Sequence, residues 1–397
     1  MTFRFTQRAD CANTAKLRSC VLASLLTVAL LLTSSCNHQP AAADADAARS
    51  LAFIGNEASR TLSVVDLGTL RIASTVPLRD TPHGLFANSQ RGELYILSSL
   101  AGTLTILNAA TLAVEGTVRT GASPQFIALS GDGGTAYVVN AGSNNVSVID
   151  LGSRKVRATV AVGQHPEFAQ LTPDGATLIV SNRNSNTLTL IATQADIGAT
   201  SAATPKVLDE IAVGSQPGPV VIRPDGQQAF VANAGDGTVS AVDLLARGVI
   251  AHIEVGGGPS YMVMKPDGGE LFVSNTGAES ISIINTYADE VSQSLIAGRN
   301  PQRVITNAAG LLLFYTTAES DAVSFVSIAN RQRLPTVALG TRPGAMAVSP
   351  GGRYLLVLGP ASNDLAVIDP TVPALVTKIP LGQSPYDIAV MRVPIVR

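Results

Sequence analysis

Eight residues of this 397-residue chain stand at one repeated position, directly after a proline. Six of them can hydrogen-bond or move protons: His83, Gln125, Glu167, Ser260, Gln302 and Tyr386; Gly218 and Gly344 complete the set. His165 lies immediately before the proline that Glu167 follows. Residues of these types can hold a polar ligand through amide, hydroxyl and imidazole groups. Glu167 or His83 could instead serve as a general base. Two imidazoles and a carboxylate are enough for zinc with an open position, which makes His83, His165 and Glu167 a conceivable ligand set. Their spacing matches no metal-ligand motif, so neither a metal nor another cofactor is expected. Any of these chemistries requires a fold that brings the eight positions together.

The prolines themselves supply that fold. Pro82, Pro124, Pro166, Pro217, Pro259, Pro301, Pro343 and Pro385 follow one another at intervals of 42, 42, 51, 42, 42, 42 and 42 residues. A period of this length marks a stacked or radial repeat, and the single 51 marks an insertion of nine residues in one unit. Each unit opens with an apolar run and then a tight turn such as Pro173-Asp174-Gly175 or Pro224-Asp225-Gly226. Asp and Gly there supply the local hydrogen bond and positive φ of a short hairpin loop. A second apolar run ends in Asn140, Asn182, Asn233 or Asn275, and a third ends in Asp or Asn. The fourth alternates apolar with polar residues, as a strand with one wet face does.

Four short runs per unit predict four antiparallel strands. The middle two are apolar on both faces, so each sheet must be covered on both sides. A ring of sheets packed face to face achieves this, with only the fourth strand at the rim. The chain enters partway through a unit, with Leu51 to Asn56 matching a second strand, and it ends in a lone first strand from Pro385 to Val393. Joining the two closes the ring by backbone pairing and removes an exposed edge. The predicted architecture is an all-β propeller of eight four-stranded blades spanning residues 51–393, with a short tail at 394–397. Seven blades, with one unit outside the ring, is the alternative.

The run Tyr137-Val138-Val139-Asn140, the segment Asn144 to Asp150 and the link from Val162 to Pro166 resemble the YVTN family of β-propeller repeats. The resemblance covers residues 51 to about 393. It implies kinship with archaeal surface-layer proteins and with bacterial periplasmic or lipid-anchored propellers. That family has no shared catalytic motif, so the resemblance assigns no functional residue. Ser98-Ser99, Thr316-Thr317 and Gly359 depart from it where the second strand should close on Asn.

Strand direction then places the eight positions. Antiparallel order puts the fourth-to-first links, and hence the starts of the innermost strands, at one mouth of the central channel. Tyr386, His83, Gln125 and Glu167 fall on four consecutive blades, with His165 beside them. A polar arc at a concave mouth is the default place for a ligand, although such mouths often hold only water. Arg303 and Asp387, one step further along, are alternatives for the channel-facing register. Asp132, Asp174, Asp225 and Asp267, one per blade, read as hairpin formers and not as a calcium loop. Asn140 and its counterparts read as turn caps. The insertion, within Thr193 to Lys206, projects from the opposite face.

The N-terminus reads as an address. A basic flank, Lys16 to Arg18, precedes the apolar run Cys20 to Leu32 and then Thr33-Ser34-Ser35-Cys36. That run is too short to span a bilayer as a mature helix and describes a signal peptide over residues 1–35. The cysteine after small residues resembles a bacterial lipoprotein signal, which implies lipidation of Cys36; a plain cleaved signal or an uncleaved anchor remains the alternative. Residues 36–50, Ala-rich and without apolar periodicity, read as a tether. No cysteine follows Cys36, which rules out disulfides and Cys-bound metal in the body. Removing residues 1–35 leaves 23 basic and 28 acidic residues, a net charge of −5, with no basic run to meet nucleic acid. The sequence therefore leads to a periplasmic or cell-surface, membrane-anchored module that binds a protein, polymer or small ligand in the envelope. A propeller hydrolase resembling lactonases is the alternative.

Overall fold

A computed structural model describes residues 48–193 and 205–395. The expected signal peptide and the tether as far as residue 47, with Cys36, and most of the insertion, residues 194–204, lie outside the described residues. Among the described residues, thirty-two strands form eight separate four-stranded antiparallel sheets. Blade 1 is composite: its innermost strand, Pro385–Pro394, pairs with Ala48–Asn56 in antiparallel register, Leu51 opposite Met391 and Phe53 opposite Ala389. The closing pair is longer than the repeat pattern suggests. It recruits Ala48, Arg49 and Ser50, which oppose Pro394, Val393 and Arg392, so the ring starts three residues before Leu51 and ends one after Val393.

The eight apolar clusters explain why a single repeat cannot stand alone. Each lies between two neighbouring blades. Alternate residues of one strand serve opposite neighbours: Leu51 and Phe53 pack toward blade 2, whereas Ala52 and Ile54 pack toward blade 8. An isolated blade would leave both sets in water, so the ring is stable only when complete. The outermost strands, such as Lys155–Ala161, are mostly exposed, as their alternation requires.

Two local devices repeat around the ring. The hairpin aspartates accept backbone N–H bonds two residues on, Asp132 from Gly134 at 2.9 Å and Asp174 from Ala176 at 3.0 Å. Hydrogen bonds from the Ser130 and Thr172 hydroxyls, joined by those amides, hold both carboxyls below their usual range. The asparagines that close the second strands are fully buried and donate to side-chain oxygens five and seven residues later, hydroxyls in every case but Asn145 Oδ1, which accepts from Asn140. Asn233 Nδ2 donates to Thr238 Oγ1 at 3.0 Å and to Ser240 Oγ at 2.8 Å.

That buried amide leaves no room beside it. A Cβ on Gly214, in the link into blade 5, would lie 2.5 Å from Asn233 Nδ2 and 2.6 Å from Asp236 Oδ2. Gly214→Ala is therefore expected to cost about 2–3 kcal/mol, read from the urea midpoint. Gly248→Ala, where a Cβ meets nothing within 4 Å, should change it by less than about 0.5 kcal/mol. Equal shifts for the two would refute the packing account.

Candidate functional site

The innermost strands begin with an irregularity that decides what faces the channel. In blade 3, Pro124 opposes Asn140 but Phe126 opposes Val139, which leaves Gln125 unpaired in a β-bulge. Glu167, Ser260 and Tyr386 are bulged in the same way. A bulge suspends strict alternation, so the residue after the proline and the next one both turn inward. Both candidate registers are thus realised together.

The result is a cavity of about 650 Å³ at the mouth. Of the residues singled out from sequence, His83, Gln125, Glu167, Ser260 and Tyr386 line it, joined by Arg303 and Asp387. His165 and Gln302 do not. His165 has φ of 51° and its amide donates to Asn144 Oδ1, so it belongs to the link outside the cavity. Gln302 is exposed, and in blade 7 only Arg303 reaches the cavity wall.

The walls are polar and largely paired. His83 Nε2 lies 3.2 Å from Gln125 Oε1, and the imidazole stacks on the Tyr386 ring at 5.3 Å with 21° between planes. Glu167 accepts from Arg183 Nη1 at 3.1 Å, and Arg183 also donates to Gln216 at 3.0 Å. His83 and Glu167 therefore have separate partners, Gln125 and Arg183. Among the described residues, no group of three or more His, Cys, Asp or Glu is placed to hold a metal ion. Arg183 comes from a second-to-third turn, and only its distance from Glu167 in space reveals its part.

Two groups lack such partners. Arg303 lies over the Tyr261 ring, 4.8 Å from its centroid, and forms no ion pair or side-chain hydrogen bond among the described residues. Ser260 Oγ is buried without a hydrogen-bond partner. The floor is aromatic: Phe86 meets Phe126 edge-on at 5.1 Å, and Phe126 meets Phe168 at 4.1 Å. Phe126 and Phe168 also line a second space deeper in the channel, bounded by Ala128, Leu171, Val221 and Met264. The channel is thus polar at the mouth and apolar beyond the phenyl rings. Sequence reasoning passed over this floor, although Phe126, Phe168 and Tyr261 all hold the second position after their prolines.

Asp387 ties the ring closure to the site. Its Oδ2 accepts from Leu85 N at 2.8 Å across the blade 1 to blade 2 boundary, and its Oδ1 accepts from its neighbour Ile388 N at 2.9 Å. Burial nevertheless pushes the carboxyl above its ordinary value; the two amides, Arg303 and His83 oppose this without cancelling it. A group that binds its proton more tightly when folded adds stability below the ordinary Asp value of about 4. That contribution is lost as pH rises through the folded-state value. Asp387→Asn removes the charge but keeps only one of the two acceptor oxygens, so its Tm relative to wild type should be higher at neutral pH than near pH 4, and that pH-dependent gain is the expected result. A gain that does not depend on pH would remove burial of the charge as its cause.

Comparisons with known proteins agree on a β-propeller, although the family model that matches is described as seven-bladed and this ring has eight. The family model described as "Lactonase, 7-bladed beta-propeller" matches residues 47–208, less than half of the chain. A dihydro-heme d1 dehydrogenase, NirN in complex with DHE, superposes with a TM-score of 0.74 at 16% identity, covering 85% of this chain and 74% of that one. Kuenenia stuttgartiensis hydrazine synthase gives 0.54 at 22% identity, covering 69% and 96%. A protein of unknown function from Desulfotomaculum acetoxidans gives 0.60 at 14%, covering 86% and 98%. No curated protein matches. The chain is an eight-bladed β-propeller.

Proposed function

We propose that this propeller is a binding module without catalysis, anchored outside the cytoplasmic membrane by a lipid on Cys36, and that its site is the mouth cavity. The ligand class it suits is a small, ring-bearing anion. Arg303 carries this reading: a cation without an ion pair or side-chain hydrogen bond among the described residues, 4.8 Å from the Tyr261 ring centroid beside an aromatic floor. A guanidinium is the side chain best shaped to meet a carboxylate in two-point fashion. Ser260, whose buried Oγ has no hydrogen-bond partner, lines the wall, and about 650 Å³ falls within the range of small-molecule sites.

The test is a matched set of aromatic carboxylates and amines of equal frame, measured by equilibrium dialysis with the purified protein. Retention of the acids and not the amines is the expected result. Retention of neither, or of the amines, would reject the reading.

A second reading is a propeller hydrolase acting on lactones, favoured by the partial match to the lactonase model. Its general base would be Asp387, a carboxyl of raised proton affinity in the cavity wall, in place of Glu167 or His83, which have other partners. Turnover of a lactone panel that disappears in Asp387→Asn would establish it over pure binding.

A further inference from the structure

The two ends of the ring differ in character. Among the described residues, fifteen large apolar side chains are exposed. Leu100, Ile296 and Tyr386 stand at the mouth end. The other twelve all lie toward the opposite end: on first-to-second or third-to-fourth turns, at the starts of outer strands, or just past the last strand. Four of them tip consecutive blades 5 to 8, Leu245 at 92% exposure, Tyr287 at 66%, Leu311 at 60% and Val372 at 66%. Singly exposed apolar residues are ordinary, but their collection at one end is not. The apolar half of the channel, bounded by Leu129, Leu171 and Met264, lies toward that end as well.

The chain enters the ring there too. The first strand runs from Ala48 to Asn56, and Asn56 is at the mouth end, so Ala48 is at the apolar end. Only residues 37 to 47 separate Ala48 from Cys36, a reach of at most about 40 Å even when fully extended.

We propose that this apolar end is a membrane-contact surface: the propeller rests on the lipid bilayer by its exposed turns, and the ligand mouth points away from the membrane. The chain-entry part of the argument rests on the lipid-anchor reading above; the uneven distribution of apolar side chains stands without it. Exposed charges at that end have both signs, Arg247 and Arg353 alongside Asp225 and Glu290. The contact is therefore apolar and resists salt.

Cys36 is the only cysteine after the signal sequence, so single cysteines can report on each end. Full-length Leu245→Cys and Tyr287→Cys, with Leu100→Cys and Ile296→Cys as mouth-end controls, are purified and placed on vesicles of phosphatidylethanolamine and phosphatidylglycerol. Reaction with a charged maleimide is timed with and without vesicles. The expected result is slowing by about tenfold at positions 245 and 287, the factor that burial of one large side chain carries, with positions 100 and 296 unchanged and no release by salt. Equal rates at both ends would overturn the proposal. So would protection found in native envelopes but not on pure lipid, which would assign this end to a protein partner or a second copy. Labelled palmitate, lost in Cys36→Ala, judges the anchor separately. If wild type takes up no palmitate, the anchor falls, while protection of 245 and 287 on vesicles still upholds the surface and its absence still overturns it.

Discussion

A chain ending at Ser384 is expected to lose the closed ring and with it most of its stability. Such a chain lacks the innermost strand of blade 1, which pairs along the whole of Ala48–Asn56 and buries Ile388, Met391 and Val393. Each of these side chains is worth roughly 1.5–3 kcal/mol when buried, about 5–9 kcal/mol together. A folded domain typically has only about 5–15 kcal/mol in total. The truncation also bares the inner edge of Ala48–Asn56, an unpaired template for association. Urea unfolding should lose its sharp transition, and the protein should bind hydrophobic dyes and self-associate. A synthetic Pro385–Pro394 peptide added in trans should restore the transition, because the missing piece is one continuous strand. A truncated chain that unfolds at the wild-type midpoint would show that closure contributes little.

The second large effect concerns the ligand. Arg303→Glu should weaken retention of an aromatic carboxylate by about a hundredfold, two factors of ten at about 1.4 kcal/mol each, since a charge-assisted bond is replaced by repulsion. Arg303→Lys keeps the charge but loses the two-point fork and the guanidinium contact with the Tyr261 ring, and about a tenfold loss is expected. Arg303→Lys should leave the urea midpoint unchanged, because Arg303 has no ion pair or side-chain hydrogen bond among the described residues and the variant keeps the positive charge that opposes the upward shift of Asp387. Arg303→Glu reverses that charge beside Asp387, so its affinity is read alongside its urea midpoint. Wild-type affinity in Arg303→Glu would place the ligand elsewhere.

The amino-acid sequence was sufficient for the architecture. The recurring proline, the Asp-Gly hairpins and the two-faced middle strands are local signals, each set by neighbours within a few residues. Repetition at 42 residues converts them into a ring, and complementary incomplete ends close it at eight blades. Direction along the chain was enough to say that His83, Gln125, Glu167, Ser260 and Tyr386 begin innermost strands. What local signals cannot carry is contact between repeats. The bulge after Pro124, Pro166, Pro259 and Pro385 turns two successive residues inward, and it is visible only in pairing against the next strand, as with Pro124 and Phe126.

The same holds for each partner in the site. His83 meets Gln125 from 42 residues away, and Glu167 meets Arg183 from a turn that the repeat pattern treats as a connector. Leu85 donates to Asp387 across 302 residues. Periodicity fixes which strands exist because each is stabilised by its own alternation and turns. Only the closed ring decides which side chains face one another, because those contacts form between blades, where separation along the chain has no bearing on distance in space.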